Sequence, residues 1–310
     1  MTSRLQHLRW RLTRPWKALV NTAAGHAAIG VHNITRRLDP DRSAERAGRL
    51  MQRLGPLRHE HRVGRANLTA AFPEKPPAEI ETILRGVWDN LGRVAAEYAH
   101  LDRLWNYDVA RPAAGRIEFS EESRERFLRL RDDGKPALVF AAHLANWELP
   151  ALAGRNFGLD NAVVYRMPNV GKIADAVRKM RAGCMGTLIA TGIGAPSAVA
   201  AALERGMHVG MLVDQYDSRG VDVVFFGRPC KANPMIARLA RHFECPIHGA
   251  RSIRLPGHRF RLELTEAIEV PRDADGKLDV QVTMQMITSI VEGWVREHPE
   301  QWLWLHRRWR

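Results

Sequence analysis

His143 and Glu148 are the residues whose types and spacing point most directly to chemistry. They follow Ala137–Ala142 (ALVFAA), an unbroken apolar run of strand length, as expected of a strand buried on both faces. On one regular helix the two side chains would diverge by about 140°. With His143 in the turn after the strand and Glu148 in the first turn of a helix, they can converge. One imidazole nitrogen then donates to Glu148, which fixes the tautomer, and the other is free to take a proton from a substrate hydroxyl. The carboxyl end of a strand is also where open α/β sheets place their sites. The His-x4-Glu spacing alone fits a hydrogen-bonded structural histidine at least as well.

Other candidates end predicted strands on the same edge. Arg166 follows Asn161–Tyr165, and with Arg178 and Arg181 it offers guanidinium groups that can grip a phosphate or carboxylate with paired hydrogen bonds. Asp214 follows Val209–Val213 and can reach the same cleft as a second carboxylate partner for His143. A turn cap explains Asp214 equally well, and an exposed helix face explains the arginines. His208, at a strand start, reads as structural. His242 and His248 have no metal-like spacing.

The elements that must position these groups fall into two stretches. From Ser43 to Leu104 the pattern is helical, and Pro76-Pro77 opens a long helix with Ile80, Ile83, Leu84, Val87, Leu91, Val94 and Tyr98 at three-and-four spacing. From Pro136 onward, strands alternate with helices. Thr187–Ala190, Val221–Phe226, Pro246–Ile253 and Phe260–Leu264 read as further strands. Trp147–Asn156, Lys172–Arg181, Ser197–Glu204, Pro234–His242 and Val280–Glu297 read as helices. This alternation predicts an α/β domain around a largely parallel or mixed sheet with helices on its flanks. The expected organisation is a basic amphipathic segment over 1–40 and a single domain over 41–310, mainly helical to residue 135.

Charge is concentrated at the ends. The 310 residues carry a net +13, and residues 1–65 hold 14 Arg/Lys against 4 Asp/Glu. The first 35 residues contain no acid, and Arg4, Arg9, Arg11, Arg14 and Lys17 interleave with Leu5, Leu8, Trp10, Leu12 and Trp16. Such a segment can lie in the headgroup zone of an anionic bilayer. Ala18 to Ile34 is interrupted by Asn21, His26, His32 and Asn33, so it is too polar for a transmembrane helix or a secretory signal. Cys184, Cys230 and Cys245 form no C-x-x-C pair, which predicts a reducing compartment, no disulfide framework and no structural zinc.

Five blocks together resemble the bacterial lipid A late acyltransferases (the lauroyl/myristoyl transferase family), over nearly the full length. His143-Leu-Ala-Asn-Trp-Glu148 is similar to that family's His-x4-Asp/Glu motif, and Arg65-Ala-Asn-Leu-Thr-Ala-Ala-Phe-Pro73 to its N-terminal segment. Tyr165-Arg166 with Arg178-Lys-Met-Arg181 resembles its arginine block, and Asp214-Gln215 with Phe225-Phe226-Gly227 its Asp-Gln segment. The ending Pro299-Glu-Gln-Trp-Leu-Trp-Leu-His-Arg-Arg-Trp309 is the most specific match. The resemblance implies a glycerolipid-acyltransferase-like fold and transfer of a fatty acyl group from a thioester of acyl carrier protein, or of coenzyme A, to a hydroxyl of an anionic glycolipid. His143 would be the general base and Glu148 its orienting partner. Arg166, Arg178, Arg181, Asp214 and Gln215 would bind substrate, and neither a metal nor a cofactor would take part. Peripheral attachment to the cytoplasmic face of the inner membrane is expected. Trp302, Trp304 and Trp309, with Arg307, Arg308 and Arg310, serve equally well as an interfacial anchor or as core with solvent-facing arginines.

Three other readings compete. A glycerophospholipid or phosphoinositol-mannoside acyltransferase shares the His-x4-acid logic. Gly192-Ile-Gly194-Ala-Pro-Ser197, with Asp214 ending the next strand, approaches a dinucleotide-binding fingerprint and so an NAD(P)-dependent oxidoreductase, but Ser197 replaces the third glycine. A non-catalytic protein binding nucleic acid or another anionic surface would explain the basic ends, yet no RNA-binding motif accompanies them. Neither G-x-S-x-G nor a P-loop is present, which disfavours a hydrolase or an ATPase.

Overall fold

Proline and capping residues set the boundaries of the N-terminal helices. The computed structural model describes residues 25–108, 110–111, 114–167 and 178–309. Helix α1 (25–35) leads into α2 (Pro40–Leu54), whose start is capped by Asp39 accepting from the Arg42 amide. Next come α3 (His59–Ala71), α4 (Pro77–Glu97) and the short α5 (Leu101–Leu104). Helix α4 carries the predicted apolar stripe, which buries Ile80, Ile83, Leu84, Val87 and Val94. Helices α2 and α4 touch backbone to backbone at Gly92, where any Cβ would collide with the Ala47 carbonyl.

The α/β region follows as β1 (Ile117–Phe119), α6 (Glu121–Asp132), β2 (Leu138–Ala141), α7 (Leu149–Asn156), β3 (Asn161–Tyr165), α8 (178–182), β4 (Thr187–Ala190), α9 (Ala195–Glu204) and β5 (His208–Leu212). It ends with β6 (Tyr216–Phe225), β7 (Arg228–Ala232), α10 (Met235–Phe243), β8 (Ile247–Leu255), β9 (Arg259–Leu264) and α11 (Val280–Glu297). Seven strands form one sheet in the order β1-β9-β8-β2-β5-β3-β4, and β6 and β7 form a separate antiparallel pair. Every neighbouring pair in the large sheet is parallel except β8 with β9. The predicted mixed, largely parallel sheet flanked by helices is therefore present. The expectations for residues 1–24 and 172–177 lie outside the described residues.

Two apolar layers sandwich the sheet. One gathers α3, α4, α9, α10, α11 and the C-terminal tryptophans, and in it Phe140 stacks on Trp294 at 5.5 Å. The other packs Phe127, Leu130, Leu149, Leu152 and Leu159 over the opposite face. Alternation along β2 sends Phe140 to the first layer and Val139 and Ala141 to the second. Strand β2 had been expected as Ala137–Ala142, and its ladder ends at Ala141 because the chain turns there into the His143 loop.

Among the described residues, no helix is long and apolar enough to cross a membrane. The C-terminal tryptophans resolve as core. Trp302 and Trp304 are 1% and 0% exposed, and Arg308, at 1%, donates to the Lys231 carbonyl at 2.6 Å. Of the two terminal arginines among the described residues, Arg307 faces solvent.

Candidate active site

Sheet register brings the base and its partner together. Ala141 of β2 lies opposite Leu212 of β5, so the residues two positions beyond each strand, His143 and Asp214, emerge side by side. His143 Nδ1 meets Asp214 Oδ1 at 2.8 Å, and the His143 backbone N–H donates to Oδ2 at 2.8 Å. The indole N–H of Trp302 donates to the same Oδ2 at 2.8 Å. Asp214 is 3% exposed and thus has a full set of donors around a buried charge. Burial alone would raise its pKa, but the adjacent imidazole and these hydrogen bonds hold it far below the usual carboxylate range. For His143, burial works against the charged ring. Asp214, helped by the more distant Glu148, outweighs it and lifts the pKa above 6.5.

The expected contact between His143 and Glu148 does not form. Glu148 is the residue preceding α7, and its carboxylate turns away to Tyr98 and Arg181. Arg181 Nε donates to Oε2 at 3.1 Å, and Arg181 Nη2 also reaches the Tyr98 hydroxyl at 2.8 Å. The guanidinium lies over the rings of Tyr98 and Tyr165, 5.7 and 5.5 Å from their centroids. Burial and the Glu148 charge push the Tyr98 phenol well above its ordinary value. Despite its burial, Arg181 is held more firmly protonated by Glu148 and Tyr98. The five-residue spacing placed Glu148 near His143, but the intervening turn aims it at a different cation.

That turn is locked from both termini of the chain. Ala145 takes a left-handed conformation, φ 48°, uncommon for a residue with a Cβ. Its amide donates to the Gln301 carbonyl at 2.9 Å, and the Leu303 amide donates to the His143 carbonyl at 3.1 Å. Ser252 Oγ donates to the Asn146 carbonyl at 2.8 Å, and Asn146 Nδ2 donates to Glu97 at 2.8 Å. Asn67 in turn holds the C-terminal segment through the carbonyls of Trp304 and His306, at 2.9 and 2.8 Å. Four of the five resembling blocks therefore meet around one loop.

His143 opens onto a cavity of about 400 Å³. Helix α7 roofs it with Pro150, Ala151 and Gly154, and the sheet lines it with Val139, Ala141, Val163, Gly210, Leu212 and Ala250. Small residues on both sides make the room. Charged and polar groups ring its mouth: His143, Glu148, Arg166, Arg181 and Gln215. Gln215 Nε2 lies 3.4 Å from His143 Nε2. Arg166 is exposed there, while Arg178 is exposed and is not part of the wall.

Tyr98, Trp302 and Trp147 were not foreseen as part of the site, although Trp147 packs on the His143 ring at 5.2 Å. Tyr98 sat on the apolar stripe of α4 and read as core. The Gly192–Ser197 loop follows β4 as predicted, but Ile193 is fully exposed and Asp214 is committed to His143 and Trp302. The carboxylate that ends the next strand is therefore engaged elsewhere rather than turned to a ribose. No group of His, Cys, Asp or Glu among the described residues could hold a metal ion.

The fold and site together define an α/β protein whose carboxylate-held histidine faces a largely apolar cavity. A profile of the bacterial lipid A biosynthesis acyltransferases matches residues 29–310, and the chain belongs to that family. It is therefore an acyltransferase, with an acyl thioester donor and a lipid A-type acceptor. No curated protein matches it.

Proposed function

We propose that the protein moves a fatty acyl chain from an acyl carrier protein thioester to a hydroxyl of a lipid A precursor, by direct attack and without an acyl-enzyme. The carrying observation is that Nδ1 of His143 is tied to Asp214 while Nε2 faces the cavity mouth. A ring fixed this way keeps a lone pair on Nε2. The acceptor O–H gives its proton to Nε2 as its oxygen bonds to the thioester carbonyl carbon. The C–S bond then breaks, and the imidazolium returns the proton to the departing thiolate. Asp214 stabilises the imidazolium between these steps. Gln215, 3.4 Å from the base, is positioned to donate to the carbonyl oxygen as charge develops on it. Arg166 at the mouth suits an acceptor phosphate. The thioester is the activated co-substrate, so the scheme uses neither metal nor cofactor.

The donor's alkyl chain occupies the cavity. Its apolar walls, from Val139, Ala141, Val163, Leu212 and Ala250, suit an alkyl chain. Attachment is peripheral, at the cytoplasmic face of the inner membrane. Support comes from Val31, Ile34, Leu38, Leu50, Leu54 and Leu57, all exposed on or beside α1 and α2 amid many arginines.

Mass spectrometry of total lipids with and without the gene tests the acceptor. Loss of one acyl chain from lipid A is expected. Unchanged lipid A with altered phospholipid would transfer the reading to a glycerophospholipid or phosphoinositol-mannoside acceptor. For the mechanism, His143→Ala should lower kcat/KM by about 10²- to 10⁴-fold. Full activity in that variant would overturn the scheme.

A further inference from the structure

The Gly192–Ser197 turn has no part in the chemistry, yet it carries Ile193, the most exposed large apolar side chain among the described residues. The Ala195 amide donates to the Gly192 carbonyl at 3.1 Å, so Ile193 and Gly194 form the tip of a tight turn. Gly192 has φ 153°, a conformation that favours glycine, and a Cβ at either glycine would stand in open space. Turn tips are ordinarily glycine, proline, asparagine, aspartate or serine, so a β-branched aliphatic residue there gains no packing from its own chain. The turn stands at the rim of the cavity mouth. Tyr165 of β3 lies opposite Ala190 of β4, and the next residues, Arg166 and Thr191, both line the cavity. Ile193 comes two positions after Thr191, and Met167, also exposed, follows Arg166.

The surroundings of this tip are basic. No Asp or Glu occurs between residues 176 and 203, and Arg166, Arg178 and Lys179 are exposed. The same rim continues toward α1. Arg181 meets Tyr98 at the end of α4, and just beyond it Arg36 holds Asp102 and the Ala99 carbonyl at 2.8 and 2.9 Å. The exposed Ile34 and Leu38 lie two residues to either side of Arg36. A protein partner needs a packed, complementary surface, on the order of 800 Å² a side, and one side chain on a narrow tip offers none. A fluid bilayer needs no such fit, and it pairs apolar insertion with attraction of Arg and Lys to anionic headgroups. We propose that the β4–α9 turn is a membrane wedge: Ile193 dips into an anionic lipid surface and holds the cavity mouth at the headgroups from which the acceptor is drawn. Delivery of the acceptor rests on the proposed function, whereas insertion of Ile193 does not.

Sedimentation of the full chain with mixed phosphatidylglycerol and phosphatidylcholine vesicles reads the insertion. Burying an isoleucine side chain is worth about ten- to hundred-fold in a partition constant, so Ile193→Ser should weaken vesicle binding about ten-fold. Ile193→Leu should bind as wild type does. In Ile193→Trp the added indole fluorescence should be quenched by lipids brominated on their acyl chains. With the acceptor presented in the vesicles, kcat/KM of Ile193→Ser should also fall about ten-fold. With the acceptor dispersed in detergent it should match wild type.

Equal vesicle binding by Ile193→Ser and wild type overturns the proposal, and so does an added indole that brominated lipids leave unquenched. A raised KM for the acyl carrier protein thioester, in vesicles and detergent alike, would assign the tip to that protein and overturn the wedge too. If wild type itself transfers no acyl chain, the proposed function fails, while vesicle binding and quenching still decide the wedge.

Discussion

Asp214 and Glu148 are both nearly inaccessible carboxylates beside the His143 loop, 3% and 4% exposed, yet their surroundings differ. Asp214 faces an imidazole, a backbone amide and an indole, none of which carries a permanent charge. Glu148 faces a guanidinium and a phenol. The first arrangement responds when the imidazole gains a proton. The second pairs a carboxylate with a guanidinium and ties α7, α8 and the end of α4 into one wall. Proximity in sequence to the histidine thus predicts the wrong carboxylate as its partner, and sheet register predicts the right one.

The sharpest way to break this contrast is to neutralise each acid in turn. Asp214→Asn should cost about 10²- to 10⁴-fold in kcat/KM, because an amide no longer holds the ring in one tautomer or balances its charge. Glu148→Gln should leave substantial activity, lower by about ten-fold, and instead lose thermal stability. The reason is that Arg181 becomes a buried cation without its counter-charge, a change that costs about 3–5 kcal/mol. Initial rates and thermal melts on the same two proteins check both. Equal rate losses would erase the distinction.

The pH profile should separate them a second way. A protonated imidazole cannot accept the acceptor's proton, so kcat/KM falls as pH drops through the His143 pKa. That pKa is raised above 6.5 chiefly by Asp214, against the opposing effect of burial, so the acid limb should lie above pH 6.5. In Asp214→Asn the raising influence goes and burial remains, which moves the limb to lower pH. Removing Glu148, the weaker and more distant charge, should move it the same way but less. A limb that stays fixed in Asp214→Asn would mean that another group titrates.

Much of the frame was legible because its signals are local. Asn161–Tyr165, Thr187–Ala190 and Val280–Glu297 carry their own apolar patterns and form as read, with the same bounds. Three-residue β1 and the arginine-, proline- and lysine-bearing β7 have no such pattern: β1 is defined by β9, more than 100 residues further on, and β7 by its antiparallel pairing with the preceding β6. His143, Arg166 and Asp214 read as lying on one edge because each follows a strand of a parallel sheet, whereas Arg181 ends a predicted helix and Gln215 enters only through the family resemblance. What sequence spacing could not supply was direction: where the Ala145 turn aims Glu148, and that Trp302, 88 residues beyond Asp214, donates to it.

Trp302→Phe gives the smallest and most pointed test. The ring's contacts with Phe225 and Trp304, centroids 5.5 and 4.7 Å away, can largely persist in phenylalanine, so the deletion falls on one N–H donor. Asp214 then keeps His143 but loses a group that shares its negative charge. The carboxylate should hold the imidazolium more tightly, and the acid limb should shift upward, opposite to Asp214→Asn. At neutral pH the rate should drop only a few-fold, while at alkaline pH it should approach the wild-type value. A uniform loss at every pH would instead mean that the indole merely shapes the loop, with no electrical hold on the base.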